Sequence, residues 1–192
     1  MSDAAGDTPR GGLLGRLVPL LVAAALGVLL YVGVRMNSGQ DTSALPSPLI
    51  GRPAPALDLP TLEMDPATPP RQVALAEFAG TPFVLNVWGS WCPECRVEHP
   101  VVNSLAALGV TVVGYNLKDD PDEARRWLQQ YGNGYDVIVA DPEGRQAIEW
   151  GIYGAPETFV VGADGVVAWK HVGALTPDIV REELMPALEA SR

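Results

Sequence analysis

The chain's only two cysteines stand in Trp91-Cys92-Pro93-Glu94-Cys95, just after the apolar run FVLNVW (Phe83–Trp88) and just before a stretch with helical periodicity. A short run rich in β-branched and aromatic residues suits a buried strand. The pair therefore sits where a strand hands over to a helix. The C-x-x-C spacing sets the two sulfurs one helical turn apart, close enough to close a small ring. At that position Cys92 faces unpaired N–H groups and the positive end of the helix dipole, and both stabilise a thiolate. Pro93 fits the first turn, where its missing N–H costs nothing. A purely structural disulfide is a poor account, because so small a loop constrains very little chain. Zinc normally takes four ligands, and His99 and His171 are the only imidazoles. Thiol–disulfide exchange is the reading that remains, with Cys92 attacking and Cys95 resolving.

The rest of the chain reads as alternating elements. Residues 57–80, broken by Pro66, Pro69 and Pro70, are expected to form a β-hairpin and a lead-in turn. Pro93 to Leu108 reads as a helix with Val97, Val101, Val102, Leu105 and Leu108 on one apolar face. TVVGYNL (Thr111–Leu117) is the next strand. Asp120 then caps a helix that has Pro121 in its first turn and Glu123 closing a capping box. Ala124, Trp127, Leu128 and Tyr131 recur on its apolar side. DVIVA (Asp136–Ala140) is a third strand, followed by a short helix around Arg145–Trp150. Thr158–Val161 and Val166–His171 flank the turn Ala163-Asp164-Gly165. Thr176-Pro177 opens a last helix, which Pro186 is expected to kink. After the lead-in the order is β-α-β-α-β-α-β-β-α, an α/β pattern that implies a mixed sheet with helices on both faces.

The N-terminal end is different. Leu17 to Val34 carries no charged side chain, and with the Leu13–Gly15 flank it reaches the ~20 apolar residues that a bilayer-spanning helix needs. The expected organisation is a cytoplasmic N-terminus (1–12), a transmembrane anchor (13–36), a Ser-, Pro- and Gly-rich linker (37–56) and a folded domain (57–192). A cleaved signal peptide is the alternative, and either would export residues 37–192. The whole chain has a net charge of -10. Without residues 1–36, ten basic side chains face twenty-one acidic ones. So acidic a body offers a polyanion no counterion release, which excludes duplex nucleic acid as a partner.

Gly154-Ala155-Pro156-Glu157-Thr158 is the second constellation. A proline directly before a late strand fits a cis peptide that turns the preceding backbone outward, where an extended peptide would pair with it. An ordinary trans turn fits the spacing equally well.

WCPEC after LNVWGS, then RVEHP, VVGYNLKDD and GIYGAPETFVV, together resemble the CcmG/DsbE family of membrane-anchored, thioredoxin-like thiol:disulfide interchange proteins of cytochrome c biogenesis. The likeness runs from about Leu57 to the C-terminus. It implies a thioredoxin fold with an N-terminal β extension and a central βα insert. By this resemblance Cys92 is the nucleophile, Cys95 the resolving thiol and Pro156 the cis-proline. Trp91, Pro93 and Ala155 are expected to meet the substrate. Glu98 and Glu157 match positions that line an acidic surround of the dithiol, and Asn86 stands where thioredoxins bury an acid. Carboxylates near Cys92, Glu94 included, would oppose its thiolate and favour a reductant.

The function implied is that of a periplasm-facing reductant tethered to the bacterial inner membrane. It would keep apocytochrome c cysteines, or those of a partner thiol protein, reduced. A transmembrane donor of the DsbD/CcdA type would recharge it, and the chemistry calls for no organic or metal cofactor. Two alternatives are a general membrane-anchored thioredoxin with other clients, and a copper-binding assembly factor using Cys92, Cys95 and a distant histidine. His99 is expected to pack or cap, Trp88 to lie in the core, and Lys118-Asp119-Asp120 to form a solvated loop.

Overall fold

The computed structural model describes residues 13–37 and 47–192, and side chains at 18–33 and 47–192. The expected cytoplasmic segment (1–12) and residues 38–46 of the expected linker lie outside them. The chain divides into two units, Met1–Ala44 and Leu45–Arg192. In the first, α1 (Leu13–Asn37) is a helix with Pro19 inside it, and its described side chains are all exposed. Among the described residues no helix is long and apolar enough to cross a membrane.

In the second unit, β1 (Asp58–Pro60) and β2 (Gln72–Ala74) pair antiparallel, as expected of the lead-in, and a 3-10 turn follows at Leu75–Phe78. Then come β3 (Phe83–Trp88), α2 (Pro93–Ala107), β4 (Val112–Leu117), α3 (Pro121–Tyr131), β5 (Val137–Asp141), α4 (Arg145–Glu149), β6 (Glu157–Val161) and β7 (Val167–Val172). The chain ends in α5 (Pro177–Ile179), a π-helical turn (Val180–Leu184) and α6 (Met185–Ala190). The five-stranded sheet has the order β5-β4-β3-β6-β7. Its β3–β4 and β4–β5 pairs are parallel, and β3–β6 and β6–β7 are antiparallel. This is the thioredoxin-like mixed sheet, with β3 at its centre.

Every residue of β3 is buried, because both faces of the sheet are covered. The two-residue period then sends Val84 and Trp88 into one core and Phe83, Leu85 and Val87 into the other. The first core also holds Cys92, Cys95, Val102, Leu105, Trp127 and Leu184. The second holds Leu57, Leu59, Tyr115, Trp150 and Phe159.

Trp88 stacks on Trp127 at 5.0 Å and on Tyr135 at 5.7 Å. Gly114 makes room for this aromatic layer: a Cβ there would stand 2.8 Å from the Tyr135 ring and 3.0 Å from Trp88 Nε1. Gly114→Ala is accordingly expected to lower stability by about 1–3 kcal/mol through overpacking. Urea titration of the oxidised chain, followed by tryptophan fluorescence, checks this.

Four expectations need correction. The buried face of α2 is Cys95, Glu98, His99, Val102 and Leu105, while Val97 is 66% and Leu108 64% exposed. Polar residues at buried positions broke the apolar pattern. Glu123 does not complete a capping box: Asp120 accepts from the Asp122 and Glu123 amides, and the Glu123 side chain pairs with Arg126 at 2.5 Å. The compact unit begins before Leu57, since Gly51 N and Ala54 N donate to Val167 O and Gly165 O, both at 2.8 Å. Backbone pairing makes no demand on side-chain pattern, so a Pro- and Gly-rich stretch conceals it. On the opposite edge Leu62 N donates to Ile138 O at 2.9 Å. Finally, Pro186 does not simply bend its helix. It has no N–H for residue 182, and the ladder widens into the π turn immediately before it.

Candidate active site

The end of β3 delivers the chain into Gly89-Ser90-Trp91, and Cys92 is the N-cap of α2 with Pro93 at its start. Cys92 and Cys95 form a disulfide with Cα atoms 5.3 Å apart. Cys95 N donates to Cys92 Sγ at 3.1 Å, so one of the orphan amides of the helix start is turned on the attacking sulfur. Cys92 is only 2% exposed and Cys95 1%, while Trp91 beside them is 50% exposed.

The approach loop is held by the loop that follows β4. Asp119 accepts from Ser90 N and from Ser90 Oγ, both at 2.6 Å, and from Asn116 Nδ2 at 2.9 Å. Trp91 Nε1 donates to Leu117 O at 2.9 Å. A Cβ on Gly89 would lie 2.5 Å from the same indole nitrogen, so only glycine lets the ring fold back over the backbone. Asp119 thus positions the approach to the dithiol, where the sequence suggested a solvated loop. One signal was present: β3 and β4 run parallel, so the loops after their C-terminal ends must adjoin.

Behind the dithiol lies a buried polar chain. Glu98 is 1% exposed and one helical turn beyond Cys95. Its Oε1 accepts from Asn86 Nδ2 at 2.8 Å and its Oε2 from Leu175 N at 2.8 Å. Asn86 also donates to Thr158 Oγ1 at 3.1 Å and accepts from Tyr135 OH at 2.8 Å. Burial outweighs the hydrogen bonds from Asn86 and Leu175 and pushes the Glu98 carboxyl up to about 7. Burial, and then the Glu98 charge, hold the Tyr135 phenol well above its ordinary range. His99 packs as expected: its ring meets Trp127 edge-on at 4.4 Å, its Nε2 lies 2.8 Å from Gly132 O, and burial lowers its pKa.

Ala155-Pro156 is a cis peptide. Ala155 packs against the core that contains both cysteines. Glu157 follows, 1% exposed, with Oε1 accepting from Tyr153 N at 2.6 Å and Gly154 N at 3.0 Å. Its Oε2 is 2.8 Å from Lys170 Nζ, itself buried, which also donates to Gly151 O at 2.7 Å. That ammonium lies 4.8 Å from the Tyr153 ring centroid and 4.9 Å from that of Phe159.

Lys170 is therefore a second residue the sequence did not single out. The expected acidic surround is weaker than two bare anions, because Glu157 is neutralised by Lys170 and Glu98 titrates near neutrality. Glu94 remains exposed in the first turn of α2. No group of three or more His, Cys, Asp or Glu among the described residues could hold a metal. His171 stacks on Trp169, 5.7 Å between ring centroids.

A thioredoxin-like sheet with a Cys-x-x-Cys disulfide at the start of its first core helix defines a thiol:disulfide oxidoreductase. The Redoxin family model matches residues 50–185. The chain is 40% identical over 174 residues to the thiol:disulfide interchange protein DsbE of Xylella fastidiosa, covering 88% of this chain and 86% of that one. It is 42% identical over 170 residues to DsbE of Pseudomonas aeruginosa, covering 88% and 90%. A crystal structure described as a DsbE thiol:disulfide interchange protein from Chlorobium tepidum superposes with a TM-score of 0.57 at 28% identity, over 72% of this chain and 94% of that one. The chain belongs to the DsbE family of thiol:disulfide interchange proteins.

Proposed function

We propose that this chain is a membrane-tethered, periplasm-facing reductant of cytochrome c maturation, acting on the disulfide of apocytochrome c or of a partner thiol protein. The observation that carries the chemistry is Cys92 at the N-cap of α2 with the Cys95 amide on its sulfur. In the reduced form the Cys92 thiolate attacks one client sulfur. The other client sulfur leaves as a thiolate and takes up a proton. Cys95, once deprotonated, attacks Cys92 Sγ and expels the second client sulfur. Two electrons and two protons pass to the client, and the enzyme is left as the disulfide. Glu98, titrating near 7 one turn beyond Cys95, is suited to take the Cys95 proton and return it.

The family resemblance supports the client class and a DsbD/CcdA-type electron donor. The sequence run Leu17–Val34, of which the described side chains of α1 cover only 18–33, is preceded by Arg10 and Arg16 and supports an uncleaved inner-membrane anchor. Equilibrating the full chain with glutathione buffers tests the redox direction. A reduction potential between roughly -270 and -200 mV, the thioredoxin-to-glutaredoxin range, is expected. A value near the ~-120 mV of a strong oxidant would overturn the assignment.

A further inference from the structure

A cleft of about 610 Å3 opens directly beside Cys92, between the start of α2 and α3. Trp91, Trp127 and Tyr131 form its aromatic wall, and Arg96, Glu123 and Arg126 are its charged side chains. Two features bear on what it would bind. The wall is preformed: the Trp91 indole is tied to Leu117 O, and Trp127 and Tyr131 are in ring contact at 5.2 Å. Preformed aromatic surface binds at little conformational cost. The charge is also inverted relative to the chain, whose net charge is -10. Glu123 is already engaged by Arg126 at 2.5 Å, while Arg96 makes no ion pair among the described residues. The cleft thus presents one uncommitted cation beside the attacking sulfur of an acidic protein.

We infer that this cleft docks an extended client segment carrying an acidic residue one or two positions from the attacked cysteine, with Arg96 receiving the carboxylate and the aromatic wall an apolar neighbour. The inference rests on the reading that Cys92 attacks client disulfides. The spacing follows from the helix: Arg96 lies four residues beyond Cys92, a rise of about 6 Å, which equals about two residues of extended chain. A carboxylate at that reach meets a guanidinium, and a lysine there meets like charge, in a protein whose long-range field favours cations. Short-range recognition at Arg96 is what distinguishes this cleft from a general acidic surface.

The test uses the full chain, reduced beforehand, and two synthetic peptides. Each peptide has one internal disulfide and differs only in Glu or Lys two residues after the cysteine. Stopped-flow tryptophan fluorescence gives the second-order rate constant for each. The Glu peptide is expected to react about fivefold faster at low salt, with the ratio falling toward one at high ionic strength. Arg96→Glu should invert the ratio and Arg96→Gln should bring it close to one. Any general change in Cys92 reactivity cancels in the ratio, so a merely structural role would not move it. Equal rates for the two peptides, a preference for Lys, or a Glu preference that survives Arg96→Glu would overturn the inference while leaving the redox reading intact. If neither peptide is reduced, the redox reading itself fails and the inference falls with it.

Discussion

Lys170→Met is expected to destabilise the oxidised chain by about 3–5 kcal/mol, because it strands the Glu157 carboxylate in the interior. The two groups are 2.8 Å apart with side chains 4% and 1% exposed, so water cannot replace the lost partner. Methionine retains the length and apolar packing of the lysine stem against Tyr153 and Phe159. The loss therefore reports charge rather than volume. Glu157 still accepts from Tyr153 N and Gly154 N, which places the effect toward the lower end of that range. Adding Glu157→Gln should recover part of the loss, since an amide oxygen can accept the same two bonds with no charge left unpaired. Guanidinium denaturation of the single and double variants decides. A loss below about 1 kcal/mol for Lys170→Met would mean that the pair is hydrated and does not fix the loop before Pro156.

The second large effect is on pH dependence. The Glu98 carboxyl is raised from 4.5 to about 7 in the folded chain. Between those values the folded protein holds a proton that the unfolded chain has released. Its stabilising contribution is complete below about pH 4.5 and is lost as pH rises through 7. At 1.36 kcal/mol per pKa unit the loss amounts to about 3 kcal/mol. Glu98→Gln has no such proton. Its unfolding free energy should consequently fall less steeply than that of the wild type between pH 5 and pH 8, by about that amount. Gln also places an N–H2 against one of the two donors, Asn86 Nδ2 or Leu175 N, so the variant starts from a lower value at pH 5. Parallel pH profiles for the two proteins would show that the carboxyl is not held near 7.

The sequence made the order of the elements and the dithiol legible because both depend on local signals. FVLNVW, the Cys-x-x-Cys spacing and the Asp120-Pro121 start each act over a few residues. The site behind the sulfurs was less legible because its partners converge from distant segments. Asn86, Glu98, Tyr135 and Leu175 come from β3, α2, the approach to β5 and the approach to α5, and each alone resembles an ordinary polar or core residue. Glu157 and Lys170 meet diagonally across β6 and β7, where Phe159 stands opposite Lys170 and Val172 opposite Glu157. Counting outward from the turn at Ala163-Asp164-Gly165 would miss this pairing, because an irregularity at Val160/Val161 shifts the register. The helical face of α2 failed for a related reason: hydropathy treats Glu98 and His99 as surface residues, whereas hydrogen bonds make their burial tolerable.

The segment ahead of β3 has a consequence for the molecule in a crowd. A five-stranded sheet ends in two rows of backbone groups that any passing strand can join. Here Gly51–Ala54 occupies part of the β7 side and Thr61–Leu62 part of the β5 side. Chain that lies outside the dithiol motif thereby covers part of each border. A version trimmed to begin at β3 would acquire two adhesive borders and also lose Leu57, Leu59 and Leu62 from its cores.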